Sequence, residues 1–455
     1  MHSATLNMNV LDHPYRAMTV GALALVSVLA FEAMAVTAAM PVVAQALDGL
    51  AYFPLAFGGA MASSMVGMVM AGSQADRSGP ATPLWIGIIW FVLGLGIAGA
   101  ADHMLIMVLG RTVMGLGVGM QSVALYACIG KAYPAHLHAR IFGLFAAAWI
   151  VPALVGPLLA GVIVESVGWR WVFWMAPMIV LPSAMLLAPG LRALPPPEAP
   201  PGAPLTDDRR RLALALGAAV SATLVHHFSQ EHSLLAWTLA GVALLSMGAL
   251  GARLLPAGVL TMRRGLPAVI ALRGLVAAAF ATTEIYIPLL LNQQRGFSTA
   301  EAGVVLSTGA LSWSIGSWWQ GRLPAEVERG PLISRGMAIM ACGILLVALM
   351  VLPEVPVAAG VLGLILTGLG IGMTFPQLSV LTLRLAPAER QATSVSALQL
   401  CDALTTTAAV AIGGALFTLL LTLAPSKAYL ANFGLALAMA VVGVWGGQRV
   451  RPALG

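Results

Sequence analysis

Charge is what this sequence has least of: 9% of its 455 residues are charged, against 59% that are hydrophobic. Soluble chains carry about a quarter charged residues, so a soluble enzyme is excluded. Cysteine is also scarce. Cys128, Cys342 and Cys401 all fall inside apolar runs, leaving neither a disulfide framework nor a zinc spacing, and they read as packing residues. A phosphate loop is missing too. Lys131 and Lys427 are each followed by Ala, and GLGIAG at 94–99 lies inside an apolar run with no strand before it, which excludes direct drive by ATP through such a loop. No cleavable leader is expected, because the first apolar run exceeds twenty residues and lacks a small-residue cleavage site. The net charge of +6 comes from basic residues set singly or in short clusters between apolar runs. That distribution orients loops in a membrane and does not point to nucleic acid.

Apolar runs are abundant, and about 20 residues suffice for a helix to cross ~30 Å of hydrocarbon. Six are expected near 17–45, 52–72, 82–101, 104–129, 141–166 and 171–190. The Pro-rich and charged stretch 191–211 reads as a linker, followed by two runs at 212–228 and 234–255. Six more are expected near 267–291, 302–320, 332–352, 356–381, 391–423 and 428–447, fourteen in all. The run 212–228 is short and ends in His226 and His227, which leaves open a hairpin lying partly in the interface. With the N-terminus in the cytoplasm, cytoplasmic loops and ends hold eighteen Arg and Lys and outer loops only Arg170, Arg295 and Lys427. This predicts both termini inside. Arg111 and Arg273 are left within runs.

An internal repeat divides the chain. MGLGVGM at 114–120 matches TGLGIGM at 367–373, DRSGP at 76–80 faces VERGP at 327–331, and Glu32 faces Glu284, all at offsets near 252. The expected fold is an all-α polytopic membrane protein of two pseudo-symmetric six-helix bundles, 1–190 and 266–455, with a linker and inserted two-helix hairpin at 191–265. Repeats of this kind place substrate near the midplane between halves, and rocking of one on the other gives alternating access.

Four stretches resemble the major facilitator superfamily, in particular its fourteen-helix proton-coupled drug antiporters. GSQADRSG at 72–79 is similar to the family's loop between helices two and three, with Pro80 and Ala81 where a basic pair usually stands. Gly72 there permits close packing, and Asp76, with Arg77 and Gly79, caps or pairs groups at the cytoplasmic face and latches the outward-facing state. GRTVMGLGVG at 110–119 is similar to the fourth-helix motif, with intramembrane Arg111 and a small face of Gly115 and Gly119. GPLLAG at 156–161 is similar to the fifth-helix antiporter motif, in which Pro157 bends the helix while Gly156 and Gly161 let neighbours approach. Glu32 and Pro41 keep the spacing of the first-helix acid and proline. The resemblance implies a proton-coupled antiporter exporting lipophilic, in part cationic, small molecules or drugs. The alternatives are export of an endogenous lipid or metabolite, or a facilitator without proton coupling. A receptor or membrane-embedded enzyme would need a ligand domain or a catalytic cluster, and the sequence carries neither.

The candidate proton-coupling residues are Glu32, Arg111, Glu284 and Asp402. From Ala17, Glu32 is about 22 Å along its helix, a depth Arg111 shares from the other side, so an ion pair between them is expected. Burial favours a protonated carboxyl and a nearby guanidinium favours the carboxylate, so separating the two would switch protonation. Candidate substrate contacts are Glu32, Glu284, Gln121, Trp149, Tyr286, Asn292, Trp313, Phe375 and Gln399, an apolar pocket with few fixed polar groups. No cofactor is implied; the energy source expected is the proton gradient. The partners expected are a small-molecule substrate and the lipid bilayer of the cytoplasmic (inner) membrane, without nucleic acid, for a chain acting as a monomer.

Overall fold

A computed structural model describes residues 9–49, 52–194, 205–229, 233–324, 327–421 and 423–451. The Pro-rich stretch 195–204 of the expected linker lies outside the described residues. The chain is all-helical: α1 (Arg16–Ala46), α2 (Phe53–Ser78), α3 (Ala81–Gly99), α4 (Met104–Ala132), α5 (Ala135–Ala147), α6 (Ile150–Ser166), α7 (Arg170–Arg192), α8 (Leu205–Phe228), α9 (Leu234–Leu254), α10 (Leu266–Glu284), α11 (Ile287–Arg295), α12 (Thr299–Gly321), α13 (Arg329–Leu349), α14 (Val357–Leu385), α15 (Gln391–Leu421) and α16 (Pro425–Gly446). Among the described residues, thirteen helical segments are long and apolar enough to cross a membrane.

Sixteen helices arise from fourteen runs because proline splits two of them. Pro152 has no N–H to give the carbonyl of Ala148, four residues earlier. The helix breaks there, between α5 and α6, and the freed Ala148 carbonyl accepts the Ser27 hydroxyl at 3.2 Å. Pro157, where a bend is expected, lies inside α6, which continues through it. Pro288 acts likewise on the carbonyl of Glu284, so α10 ends at Glu284 and α11 starts at Ile287. By contrast α1 continues through Pro41.

The helices sort into two compact units, Met1–Thr223 with Ala386–Ser396, and Leu224–Leu385 with Ala397–Gly455. In the first, α4 is clasped by α2 and α3 through positions without side chains. A Cβ on Gly115 would lie 2.2 Å from the Ala60 carbonyl and one on Gly119 1.9 Å from that of Ser64, so α2 and α4 meet backbone to backbone. On the other side of α4, a Cβ on Gly117 would fall 2.4 Å from the Phe91 nitrogen of α3. In the second unit α14 repeats this between α12 and α13: Gly368 meets Gly309, Gly372 meets Trp313, and Gly370 meets Gly336. The sequence repeat is thus a repeat of helix contacts.

Candidate functional site

In the first unit, α1 and α4 bring Glu32 and Arg111 together. An Arg111 η-nitrogen donates to Glu32 Oε1 at 2.5 Å, and their side chains are only 4% and 8% exposed. The same guanidinium contacts Met114 Sδ at 3.7 Å and stands 5.5 Å from the ring centre of Phe57 on α2. The glycine packing of α4 on α2 sets this height, since Arg111 precedes Gly115 by one turn. Arg111 Nε is buried with no hydrogen-bond partner among the described residues. Removing one partner of such a pair strands a buried charge, at a cost of about 3–5 kcal/mol, and a proton on the carboxylate likewise leaves the guanidinium without its counter-ion, which favours its moving away.

The second unit builds its counterpart differently. Glu284 ends α10, with Oε1 3.9 Å from where a Cβ on Gly309 would stand; the carbonyl of Leu364, at the repeat position of Arg111, lies 3.6 Å from the same point. Among the described residues Glu284 has no ion-pair partner. The cation of this unit sits three turns lower on α10. Arg273 donates from Nε to Asp402 on α15 at 3.1 Å, and from an η-nitrogen to Ser379 Oγ at 2.9 Å and the Phe375 carbonyl at 3.2 Å. Its guanidinium also lies 3.2 Å from the centre of the Phe375 ring. Trp313 packs edge-on to both Phe280 and Phe375, with its Nε1 buried and without a hydrogen-bond partner among the described residues.

The loop motif is a helix cap. Asp76 accepts the N–H groups of Ala392 and Thr393 at 2.8 Å each, two of the orphan donors in the first turn of α15. A Cβ on Gly72 would lie 2.6 Å from Ser396 Cβ, so this approach requires glycine. Arg77 pairs with Asp208 at the start of α8, and Gly79, at φ +83°, ends α2 in a conformation that favours glycine.

Other expected site residues are placed elsewhere. Gln121 donates to the Gly87 carbonyl of α3 at 3.2 Å, about 15 Å along α4 from Arg111, so it ties helices together. Trp149, at the proline break, is 44% exposed. Asn292 is exposed and donates to the Phe297 carbonyl just past the end of α11, where Gly296 turns the chain. Tyr286 stacks on Phe417 at 4.3 Å. Gln399 is half-buried on α15. Gly156 does face α1, 3.2 Å from Met34 Cβ, but Gly161 faces open space and does no packing.

Arg273, Phe57 and Ser379 were missed by sequence reasoning, and Arg273 was findable as an arginine stranded inside an apolar run. A buried chain of Arg329, Gln377 and Gln320 was missed as well: Arg329 donates to Gln377 at 2.8 Å, and Gln377 donates to Gln320.

The sequence profile described as the Major Facilitator Superfamily matches residues 22–410. A Mycobacterium tuberculosis protein, "Probable multidrug-efflux transporter Rv1634", is 29% identical over 332 residues, 70% of each chain. The "Multidrug transporter protein MdtP" of Bacillus subtilis is 23% identical over 361 residues, 77% of this chain and 66% of its own. Among solved structures, the human organic anion transporter MFSD10 superposes with a TM-score of 0.68 at 12% identity, covering 95% of this chain and 100% of its own. The proton:xylose symporter XylE does so with 0.67 at 14% identity, covering 94% of each. The last two speak for the fold alone. With the glycine-clasped repeat and the profile match over most of its length, this chain belongs to the major facilitator superfamily, whose members are transporters and not enzymes, and is a multi-pass membrane protein.

Proposed function

We propose that the protein is a proton-coupled antiporter that exports lipophilic, in part cationic, small molecules across the cytoplasmic membrane by alternating access. The observation that carries this reading is the buried pair of Glu32 and Arg111, 2.5 Å apart. Protonation of Glu32 releases the guanidinium, so proton occupancy and the arrangement of α1 on α4 are linked. Glu284, with no cation beside it among the described residues, offers a carboxylate to a substrate cation. The relatives named for multidrug transport support the substrate class.

In this reading α12, long enough at 23 residues to span the core, supplies a fourteenth crossing to the thirteen already counted. Residues 1–190 and 266–455 form two bundles, 191–265 an inserted hairpin, and both termini face the cytoplasm. In proteoliposomes, adding substrate should move protons through the wild type, and through Glu284→Gln only at higher concentrations of a cationic substrate. The same addition should move none through Glu32→Gln. Substrate flux without proton movement in the wild type would favour the facilitator instead.

A further inference from the structure

Alongside α8 runs a groove that the transport reading does not use. It has a volume of about 340 Å³ and is lined by α2, α3, α4 and α8, with Trp90, Leu116, Leu216, Ala219 and Val220 among its walls. The two hydroxyls on its walls are turned to their own helices: Ser63 donates to the Ala60 carbonyl and Thr112 to that of Val108. The surface offered is therefore hydrocarbon, and Leu216, Val220 and Trp90 are exposed on it.

Two turns of α8 before the groove's lining, the chain is basic. Arg77 at the end of α2 pairs with Asp208 at the start of α8, which draws these two helix ends together and consumes that acid. Arg209, Arg210 and Arg211 follow, the first two exposed. With Asp76 and Asp207 counted, four arginines stand against three aspartates, and Asp76 is taken up by the cap on α15. Arg209 precedes Leu216 by seven residues, two helical turns, so it lies on the groove-facing side of α8 about 10 Å from the apolar wall. One leaflet is about 15 Å deep, half of a ~30 Å core, so a lipid whose headgroup sits at Arg209 reaches Leu216 with its tail.

We infer that this groove is a binding site for an anionic diacyl phospholipid, its phosphate held by Arg209, with Arg210 and Arg211 adding to the positive field around it, and one acyl chain laid between α8 and α2. Exposed basic residues beside a membrane-spanning helix attract anionic headgroups, and the groove adds a seat for the tail. The lipid fills the space between α8 and the bundle.

Trp90 in the groove wall reports occupancy. The full chain in phosphatidylcholine nanodiscs is titrated with phosphatidylglycerol or phosphatidylcholine brominated on the acyl chains. The quenching lost in Trp90→Phe is taken as that of Trp90. The expected result is saturable quenching by the brominated phosphatidylglycerol at a mole fraction at least about tenfold lower than by the choline lipid. Replacing Arg209, Arg210 and Arg211 together by Gln should remove that preference, replacing them by Lys should keep it, and Ala219→Phe should remove quenching by both lipids. Equal quenching by the two lipids in the wild type overturns the proposal, as does a preference that survives the triple Gln change. Absence of quenching by either, with a second copy cross-linked at Leu216, would assign the groove to self-association instead.

Discussion

Glu32 stands midway along an unbroken helix with a guanidinium 2.5 Å away. Glu284, at the same place in the repeat, ends its helix and faces Gly309 and Leu364. Two substitutions separate these settings. Leu364 replaces the arginine, and Pro288 cuts α10 where α1, with its proline nine residues after the acid, runs on. The glycine clasp around α4 and α14 is shared, so backbone geometry was kept while charge was not. A repeated scaffold therefore carries a cation beside Glu32 and, among the described residues, none beside Glu284, the second unit's arginine pairing with Asp402 instead.

The largest effect should come from making the first unit resemble the second. Arg111→Leu leaves Glu32 buried without its cation and should cost about 3–5 kcal/mol, read by denaturant unfolding in detergent. The loss should shrink when Glu32→Gln is added, because the stranded charge is then gone.

The converse change, Leu364→Arg, gives Glu284 a partner. A double-mutant cycle with Glu284→Gln should show the arginine tolerated better by about 1–3 kcal/mol when the carboxylate is present. A coupling near zero would mean that the two do not meet.

The shared clasp is tested next. Gly119→Ala and Gly372→Ala each drive a methyl into a carbonyl and should destabilise by about 1–3 kcal/mol, while Gly161→Ala, which meets nothing within 4 Å, should be neutral or stabilising by up to about 1 kcal/mol. Equal effects at all three would break the account of the repeat. Smallest is Phe375→Leu, which removes the ring under Arg273 and should cost about 0.5–2 kcal/mol in thermal unfolding, with the bond to Asp402 retained.

Much of this was legible in the sequence. Hydrophobic length gave the crossings, and glycines at matched offsets gave the clasp, because close helix approach leaves no other residue type there. Glu32 and Arg111 could be paired by depth alone, since each sits at a countable distance from its helix end. The helix breaks were legible only by reading each proline four residues back, to Ala148 and Glu284. Side-chain direction was the harder part. Asn292 and Gln121 look like cavity residues when only depth is known, yet one holds the turn after its helix and the other bridges two helices. Arg273 stood out as an arginine inside an apolar run, but its pairing with Asp402, 129 residues away on another helix, follows only from the packing of α10 on α15.

The central claim is that the Glu32–Arg111 pair couples transport to protons. It is tested most directly in proteoliposomes by comparing substrate transport driven by an imposed pH gradient in the wild type and in Glu32→Gln. The variant should still bind substrate but no longer respond to the gradient. Full gradient-driven transport by Glu32→Gln would contradict it.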